Sequence, residues 1–199
     1  MDFPHTTFAK QLTYYEFNLF KAVDLKEVNY WLKGEKEERH IHAPNLLALT
    51  NFVNKVTLWV ASEILISSNV KNRQSVIKHF INIAKCCHEL NNFDGVLEII
   101  MGLNHAAVER MKLSWNIPEK YTSTFKSLLD FTSPNVNWQN LRKAILDTNP
   151  EKQGFVPYIG LYLSDLTFIK DGGGGTLPNG HIGWEKNQKM FEILEAIEV

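Results

Sequence analysis

The 199-residue sequence lacks several features that would place it in a common functional class. Its formal net charge of −1 provides no general attraction to nucleic acid or to an anionic membrane. It contains no apolar run of about 18 residues, so we predict no membrane-spanning helix. The first residues, Met-Asp-Phe-Pro-His, have no basic segment followed by an apolar run. A signal peptide is therefore not predicted.

Cysteine is scarce, with only two residues, and these are adjacent. Adjacent cysteines rarely bridge to each other, so we predict that Cys86 and Cys87 are reduced thiols in or near the core of a cytosolic protein. Together with His88 they cluster in sequence. Consecutive helical residues point about 100° apart, however, and cannot all ligate one ion. We expect neither a metal site nor a cofactor.

No strand-like alternation extends over any length, whereas helical spacing is common. Apolar residues recur at this spacing in the segments 49–64, 77–87, 96–103 and 191–197, and those at 128–129 and 141–145 mark two more helices. Pro44 suits the first turn of the first of these helices. Turn residues predict breaks at Asn91-Asn92, at 116–118, at 133–135 and at 149–150. In the last helix we predict an apolar stripe of Phe191, Leu194 and Ile197.

No arrangement of residues typical of covalent catalysis is found. The sequence has no Gly-x-x-x-x-Gly-Lys loop, and the glycine run 172–175 does not follow a predicted strand, so a nucleotide-binding loop is not indicated. Ser164 and Asp165 are adjacent but have no histidine nearby, which argues against a nucleophile triad. The pattern instead favours a protein that acts by contact with another macromolecule.

A helical hairpin is predicted over about residues 158–197. The apolar segment from Leu161 ends at Asp171, next to the glycine run 172–175, and an amphipathic helix follows over about residues 184–197. This arrangement places a carboxylate near the tip of the hairpin. Such a carboxylate could repel phosphate and compete for the groups that hold a metal ion.

Several short segments together resemble one known family. They are Gln11-Leu-Thr13, Glu16-Phe17, His42-Ala-Pro-Asn45, Leu90-Asn-Asn-Phe-Asp-Gly95, Met101-Gly-Leu-Asn104 and Tyr158 to Phe168, and they occur in this order. The sequence resembles the catalytic domain of Ras-family guanine nucleotide exchange factors, the RasGEF domain. The resemblance extends from about Phe8 to Val199. Any one segment alone would be a weak signal, but several in order are specific.

The resemblance implies an all-α, multi-helix domain with a protruding helical hairpin. It implies a protein that binds the nucleotide-free form of a Ras-family small GTPase and promotes GDP release, without covalent chemistry or a cofactor. Contact with nucleic acid and direct insertion into a membrane are not expected. The expected location is the cytoplasm, with membrane recruitment through the GTPase or neighbouring domains. Whether the GTPase is Ras, Rap, Ral or a divergent relative is left open.

The resemblance also assigns roles to individual residues. In the family, one hairpin residue crowds the Mg²⁺ site of the GTPase. An acidic residue one helical turn later hydrogen-bonds the GTPase hydroxyl that otherwise holds the metal. The matching residues here are Thr167 and Asp171. Their spacing of four places both on one helix face. The remaining GTPase-binding candidates are Leu97, Asn104, Ser164, Phe168 and Lys189. For Leu97 and Asn104, roles as a core residue and a helix cap are equally open.

Two departures from the family pattern generate further expectations. The hairpin tip, residues 171–182, is rich in glycine and should be mobile. The sequence ends soon after the second hairpin helix, so we expect residues 1–199 to be a RasGEF catalytic domain truncated at its C-terminus. The rival interpretations are a scaffold or pseudo-exchange domain, which binds a GTPase without releasing nucleotide, and a helical adaptor unrelated to GTPases.

Overall fold

The protein is all-α in the part of the chain that the structure describes. A computed structural model describes residues 3–148, 154–172 and 183–198. Its helices are α1 His5–Lys21, α2 Leu25–Lys33, α3 Arg39–His42, α4 Pro44–Ile66, α5 Val70–Glu89, α6 Phe93–Leu103, α7 Ala106–Glu109, α8 Glu119–Phe131, α9 Asn135–Asp147, α10 Ile159–Asp171 and α11 Trp184–Ile197. Short 3₁₀ turns cover Lys36–Glu38 and Lys112–Trp115. Within these ranges the only β-type pairing is an isolated bridge between Asn92 and Val156. The all-α prediction is confirmed.

Helix ends follow the turn residues of the sequence. Asn91 has a φ of 54°, a left-handed conformation that asparagine tolerates better than most residues, and it separates α5 from α6. Asn92 then caps α6, because its side chain accepts a hydrogen bond from the amide of Gly95 at 2.9 Å. Helix α4 begins at Pro44, as predicted. The predicted break at 149–150 and most of the glycine-rich hairpin tip, 173–182, lie outside the described residues.

The chain folds into two compact units. The first comprises Met1–Phe17 and Thr50–Pro157, and the second comprises Asn18–Leu49 and Tyr158–Val199. None of the described helices is long and apolar enough to cross a membrane.

The core of the first unit is formed mainly by α4, α5 and α6. Phe80 is fully buried, and its ring meets that of Trp59 edge to face at 5.1 Å between centroids. Trp115 packs against the same core. Cys87 is buried and Cys86 is partly buried, and both thiols are free, as predicted.

Helix α9 begins with a left-handed turn that the sequence did not indicate. Val136, Asn137 and Trp138 have φ values of 50°, 56° and 59°. A left-handed conformation costs roughly 1–2 kcal/mol per non-glycine residue, so this turn needs external support. Arg142 supplies part of it, since its Nε donates to the carbonyl oxygen of Asn137 at 2.8 Å.

In the second unit, a buried acid caps a helix that follows it in the sequence. Glu27 on α2 accepts a hydrogen bond from the amide of Leu46 at 2.8 Å and one from the side-chain amide of Asn45 at 2.7 Å. The first amides of a helix have no partner within the helix, and a carboxylate there also interacts favourably with the helix dipole. Glu27 therefore couples α2 to the start of α4.

The buried face of α11 includes two of the three residues predicted for it. Phe191 is 63% exposed, so its predicted place in the apolar stripe is wrong. Leu194 and Ile197 pack in the core as predicted, together with Met190 and Ile193. These four residues also follow helical spacing, one position away from Phe191. Two overlapping apolar stripes fit the same period, and only the neighbouring helices decide which one is buried.

A cluster of buried acids lies in the first unit. Glu16, Asp94 and Glu98 are each fully buried. The side-chain amide of Asn92 donates to Glu16 Oε2 at 2.5 Å and to Thr13 Oγ1 at 3.0 Å. Both oxygens of Asp94 and both of Glu98 have no hydrogen-bond partner among the described residues. Burial without full hydrogen bonding strongly disfavours the ionised form of a carboxyl group.

The pKa values of this cluster are accordingly raised. Burial raises the pKa of Glu16 from 4.5 to about 7, although the neighbouring Glu98 side chain and a hydrogen bond from Asn92 partly oppose the shift. Burial, together with the nearby Glu16, raises the pKa values of Asp94 and Glu98 well above their ordinary ranges. Burial and the neighbouring carboxyls also raise the pKa of the Cys87 thiol. At neutral pH the folded protein therefore holds protons that the unfolded chain releases.

This cluster predicts that the protein loses stability as the pH rises. The folded state keeps the proton of Glu16 between pH 4.5 and about 7, whereas the unfolded chain does not, so unfolding releases a proton in this window. That difference corresponds to about 3 kcal/mol lost by pH 7 to 8. Asp94 and Glu98 extend the loss to higher pH. Urea unfolding at about pH 5.5 and about pH 8 measures the effect.

Asp94→Asn provides the matched control, since it replaces the carboxyl group with a neutral amide of the same size. We expect it to raise the free energy of unfolding near pH 8 and to have little effect near pH 5.5. A wild-type protein that is equally stable, or more stable, at the higher pH would contradict the prediction.

Candidate functional site

Helix α10 buries one face and exposes the other. Its buried side chains are Ile159, Leu161, Tyr162, Leu163 and Leu166. Most of them pack in the core of the second unit with residues such as Phe20, Val28 and Leu46. Burying large aliphatic and aromatic side chains contributes roughly 1.5–3 kcal/mol each. This face therefore fixes the orientation of α10 within its unit.

The opposite face of α10 carries four of the predicted site residues. Ser164, Thr167, Phe168 and Asp171 are all exposed, and their spacing of i, i+3, i+4 and i+7 places them along one side of the helix. We call these four residues the exposed stripe. Phe168 is 82% exposed, which is unusual for a large aromatic side chain.

The hydroxyl of Thr167 is engaged within its own helix. Thr167 Oγ1 donates to the carbonyl oxygen of Leu163 at 2.7 Å. With the hydroxyl used in this way, the part of the side chain left for contact with another molecule is the methyl group. Thr167 can thus present a small apolar surface although threonine is a polar residue.

Asp171 occupies an electrostatically unfavourable position for an acid. It is the last residue of α10, where the partial charge of the helix dipole is negative. Its carboxylate forms no ion pair within the described ranges, where the only ion pairs are His42–Glu38, Lys85–Glu89 and Lys112–Glu109. The acid is therefore exposed and free to accept hydrogen bonds from another molecule.

Two lysines hold the end of α10 that carries Asp171. Lys186 Nζ, on α11, donates to the carbonyl oxygens of Lys170 and Gly172 at 2.7 and 2.6 Å. Lys170 Nζ donates to the carbonyl oxygen of Leu32 near the end of α2, at 2.5 Å. The last carbonyls of a helix have no partner within the helix, and lysine suits them in both hydrogen bonding and charge. The start of α11 is thereby joined to the end of α10.

The sequence interpretation singled out Lys189 on α11 and overlooked Lys186. Lys189 is exposed and has no hydrogen bond or ion pair within the described residues. Lys186 lies one helical turn earlier, in the first turn of α11. A hairpin places the first turn of its second helix near the last turn of its first, but which side chain of that turn reaches the end of α10 depends on how the two helices pack.

The other two candidate residues, Leu97 and Asn104, lie in the first unit. Both line a cleft of about 280 Å³, with Met101 between them on α6 and Pro134 and Trp138 among the other lining residues. Leu97 is only 2% exposed, so another molecule could touch it only from inside this cleft. The cleft is the place where these two residues come together.

Asn104 also occupies a helix end. Its backbone amide donates to the carbonyl oxygen of Ile100 at 2.8 Å, and it is the C-cap residue of α6. Its side chain is exposed and has no hydrogen bond within the described residues. The core role of Leu97 and the cap role of Asn104 are therefore both present, and neither prevents contact with a partner.

Comparison with known proteins decides the family. The RasGEF domain model matches residues 7–188. The chain belongs to the RasGEF domain family. It is 32% identical to Ras guanine nucleotide exchange factor M and 38% identical to Ras guanine nucleotide exchange factor P, both of Dictyostelium discoideum, over 100% and 96% of its length. It is 32% identical, over 98% of its length, to mouse Ras-specific guanine nucleotide-releasing factor 1.

These relatives are much longer proteins. The RasGEF chain described here spans 21%, 12% and 15% of their respective lengths. The similarity therefore concerns this domain.

The site predicts that Asp171 can be replaced without loss of stability. Asp171→Ala removes an exposed acid from a position that the helix dipole disfavours, so the free energy of unfolding should change by less than about 0.5 kcal/mol. Leu166→Ala, on the buried face of the same helix, should cost about 2–5 kcal/mol. Urea unfolding of both variants measures the contrast. A loss of more than about 1 kcal/mol on Asp171→Ala would show that the acid has a structural role.

Proposed function

We propose that this chain is a guanine nucleotide exchange domain that promotes GDP release from a Ras-family small GTPase. The observation that carries the proposal is the RasGEF match over residues 7–188, together with relatives named as Ras exchange or releasing factors. The hairpin formed by α10 and α11 opens the switch region of the GTPase, and the exposed stripe of α10 makes the contact.

The energetic requirement is modest. A small GTPase holds GDP and Mg²⁺ through a phosphate-binding loop, a lysine and a metal-coordinating hydroxyl. An exchange factor must bind the nucleotide-free form more tightly than the nucleotide-bound form. An acceleration of about 10⁴-fold corresponds to about 5.5 kcal/mol of differential stabilisation. A few apolar anchors and one charged contact suffice, and no covalent step is required.

Each residue of the exposed stripe has a distinct part in this proposal. Phe168 is the apolar anchor, because burying a large aromatic side chain contributes roughly 1.5–3 kcal/mol. Thr167 directs its methyl group toward the Mg²⁺ site and so disfavours the metal. Asp171 accepts a charge-assisted hydrogen bond from the hydroxyl that otherwise holds the metal. Ser164 contacts the switch region one turn earlier.

Leu97, Asn104 and Lys189 are proposed as additional contacts. Asn104 offers a free side-chain amide at the edge of the cleft in the first unit. Leu97 would act only if a side chain of the GTPase enters that cleft, since it is almost fully buried. Lys189 offers an exposed positive charge on α11.

The first prediction of this proposal is that the protein accelerates nucleotide release and that nucleotide in turn weakens its binding to the GTPase. Fluorescent GDP should leave at least one member of a panel of Ras, Rap and Ral GTPases faster in the presence of this protein. The protein should also form a complex with the nucleotide-free GTPase that dissociates on addition of GDP and Mg²⁺, because linkage is reciprocal. Size-exclusion chromatography measures the complex. Co-elution that persists in excess GDP, without accelerated release, would instead support a scaffold.

The second prediction concerns Asp171. Losing a charge-assisted hydrogen bond in the open complex costs roughly 1.5–3 kcal/mol, so Asp171→Ala should slow GDP release by roughly 10- to 150-fold. Stopped-flow measurement of fluorescent GDP release at saturating exchange factor tests this.

Glu192→Ala is the matched control, because Glu192 is another exposed acid of the same hairpin and its described hydrogen bond is to Gln188 on the same helix. It should retain the wild-type rate. Thr167→Leu, which adds apolar bulk toward the metal site, should be neutral or faster. If Asp171→Ala matches the wild type, the hairpin acts by steric displacement alone.

A further inference from the structure

Lys186 holds the peptide segment on both sides of Asp171. Its ammonium group donates to the carbonyl oxygen of Lys170, immediately before Asp171, and to that of Gly172, immediately after it. The two distances, 2.7 and 2.6 Å, are short for N–H···O hydrogen bonds, and the donor is a charged ammonium group. One side chain from α11 therefore restrains the backbone that carries the acid of the exposed stripe.

The end of a helix is where such a restraint has most effect. The last carbonyl groups have no partner within the helix, and the last turn frays readily. Gly172, which follows Asp171, has no side chain to limit its backbone. Without an external partner, the last turn of α10 would sample several conformations and the carboxylate of Asp171 would move with it.

Lys186 restrains the backbone around Asp171 without binding the Asp171 carboxylate. Two of the three ammonium donors are used on backbone carbonyls, and no ion pair between Lys186 and Asp171 is found in the described part of the chain. The positive charge also offsets the unfavourable interaction of the acid with the helix dipole. The carboxylate thus remains free to bind a group on another molecule.

We propose that Lys186 is a positioning residue for nucleotide exchange, which fixes the last turn of α10 so that Asp171 is already oriented when the GTPase docks. This inference rests on the proposed function. It identifies a second lysine, Lys170, as part of the same support, because Lys170 joins the same turn to the end of α2 at the carbonyl of Leu32. Preorganisation of this kind lowers the ordering cost of the productive complex.

The test compares maximal GDP-release rates and half-saturating concentrations in a set of full-chain variants. Lys186→Met keeps the length of the side chain but removes its charge and donors, and should lower the maximal rate about 3- to 10-fold with little change in half-saturation. Lys186→Arg can still donate to both carbonyls and should stay within about twofold of the wild type. Lys71→Met, an exposed lysine on α5, controls for the loss of a surface charge and should match the wild type.

A double mutant separates positioning from a general structural role. If Lys186 acts through Asp171, Lys186→Met should have little further effect in an Asp171→Ala background. A wild-type rate for Lys186→Met, or an equal slowing in both backgrounds, would overturn the inference.

Amide hydrogen exchange of the free protein supplies a readout that does not depend on the GTPase. Lys186→Met should accelerate exchange at residues 169–172, while α5 remains unchanged. Unchanged exchange at 169–172 would overturn the inference. If the wild-type protein accelerates GDP release from none of the GTPases, the proposed function is refuted. If Lys186→Met nevertheless accelerates amide exchange at residues 169–172, the restraint of this turn by Lys186 is still established.

Discussion

Burial of one face of α10 is the constraint on which the candidate site depends. Because a helix turns by about 100° per residue, fixing Leu163 and Leu166 in the core also fixes the direction of the residues between and beyond them. Ser164, Thr167, Phe168 and Asp171 are exposed for this reason. A side chain that must contact another protein in a defined geometry needs such a rigid helix, because any motion of the helix would also move the side chain at the contact.

The end of α10 presents the opposite problem, because core packing does not reach it. Asp171 and Gly172 are both exposed, and this end of α10 is held by hydrogen bonds of lysine side chains rather than by burial. Lys186 and Lys170 use the unpaired carbonyls of helix ends as attachment points. The same principle applies at the N-terminal end of α4, where Glu27 accepts a hydrogen bond from the amide of Leu46. In both cases a charged side chain supplies hydrogen bonds that the helix itself cannot make.

The buried acids of the first unit carry a cost that the rest of the unit must offset. Glu16 shares one hydrogen bond with Asn92, the residue that also caps α6, whereas Asp94 and Glu98 have no described partner for their oxygens. Holding these groups protonated links α1 to α6 at the expense of stability as the pH rises. The cleft lined by Leu97 and Asn104 lies on the same helix, α6, so the stability of this helix also supports the second set of proposed contacts.

The sequence by itself determined the helical class and several helix boundaries, and through the family resemblance it singled out the four residues of the exposed stripe as candidates. Helical periodicity and turn residues such as Asn91, Asn92 and Pro44 act locally, so they can be interpreted without neighbours. The tertiary structure alone decided which of two overlapping stripes α11 buries, and Phe191 was misassigned because periodicity cannot choose between them. It also decided that Lys186, rather than Lys189, reaches the end of α10. A partner across two helices depends on how those helices pack, and no local pattern records that.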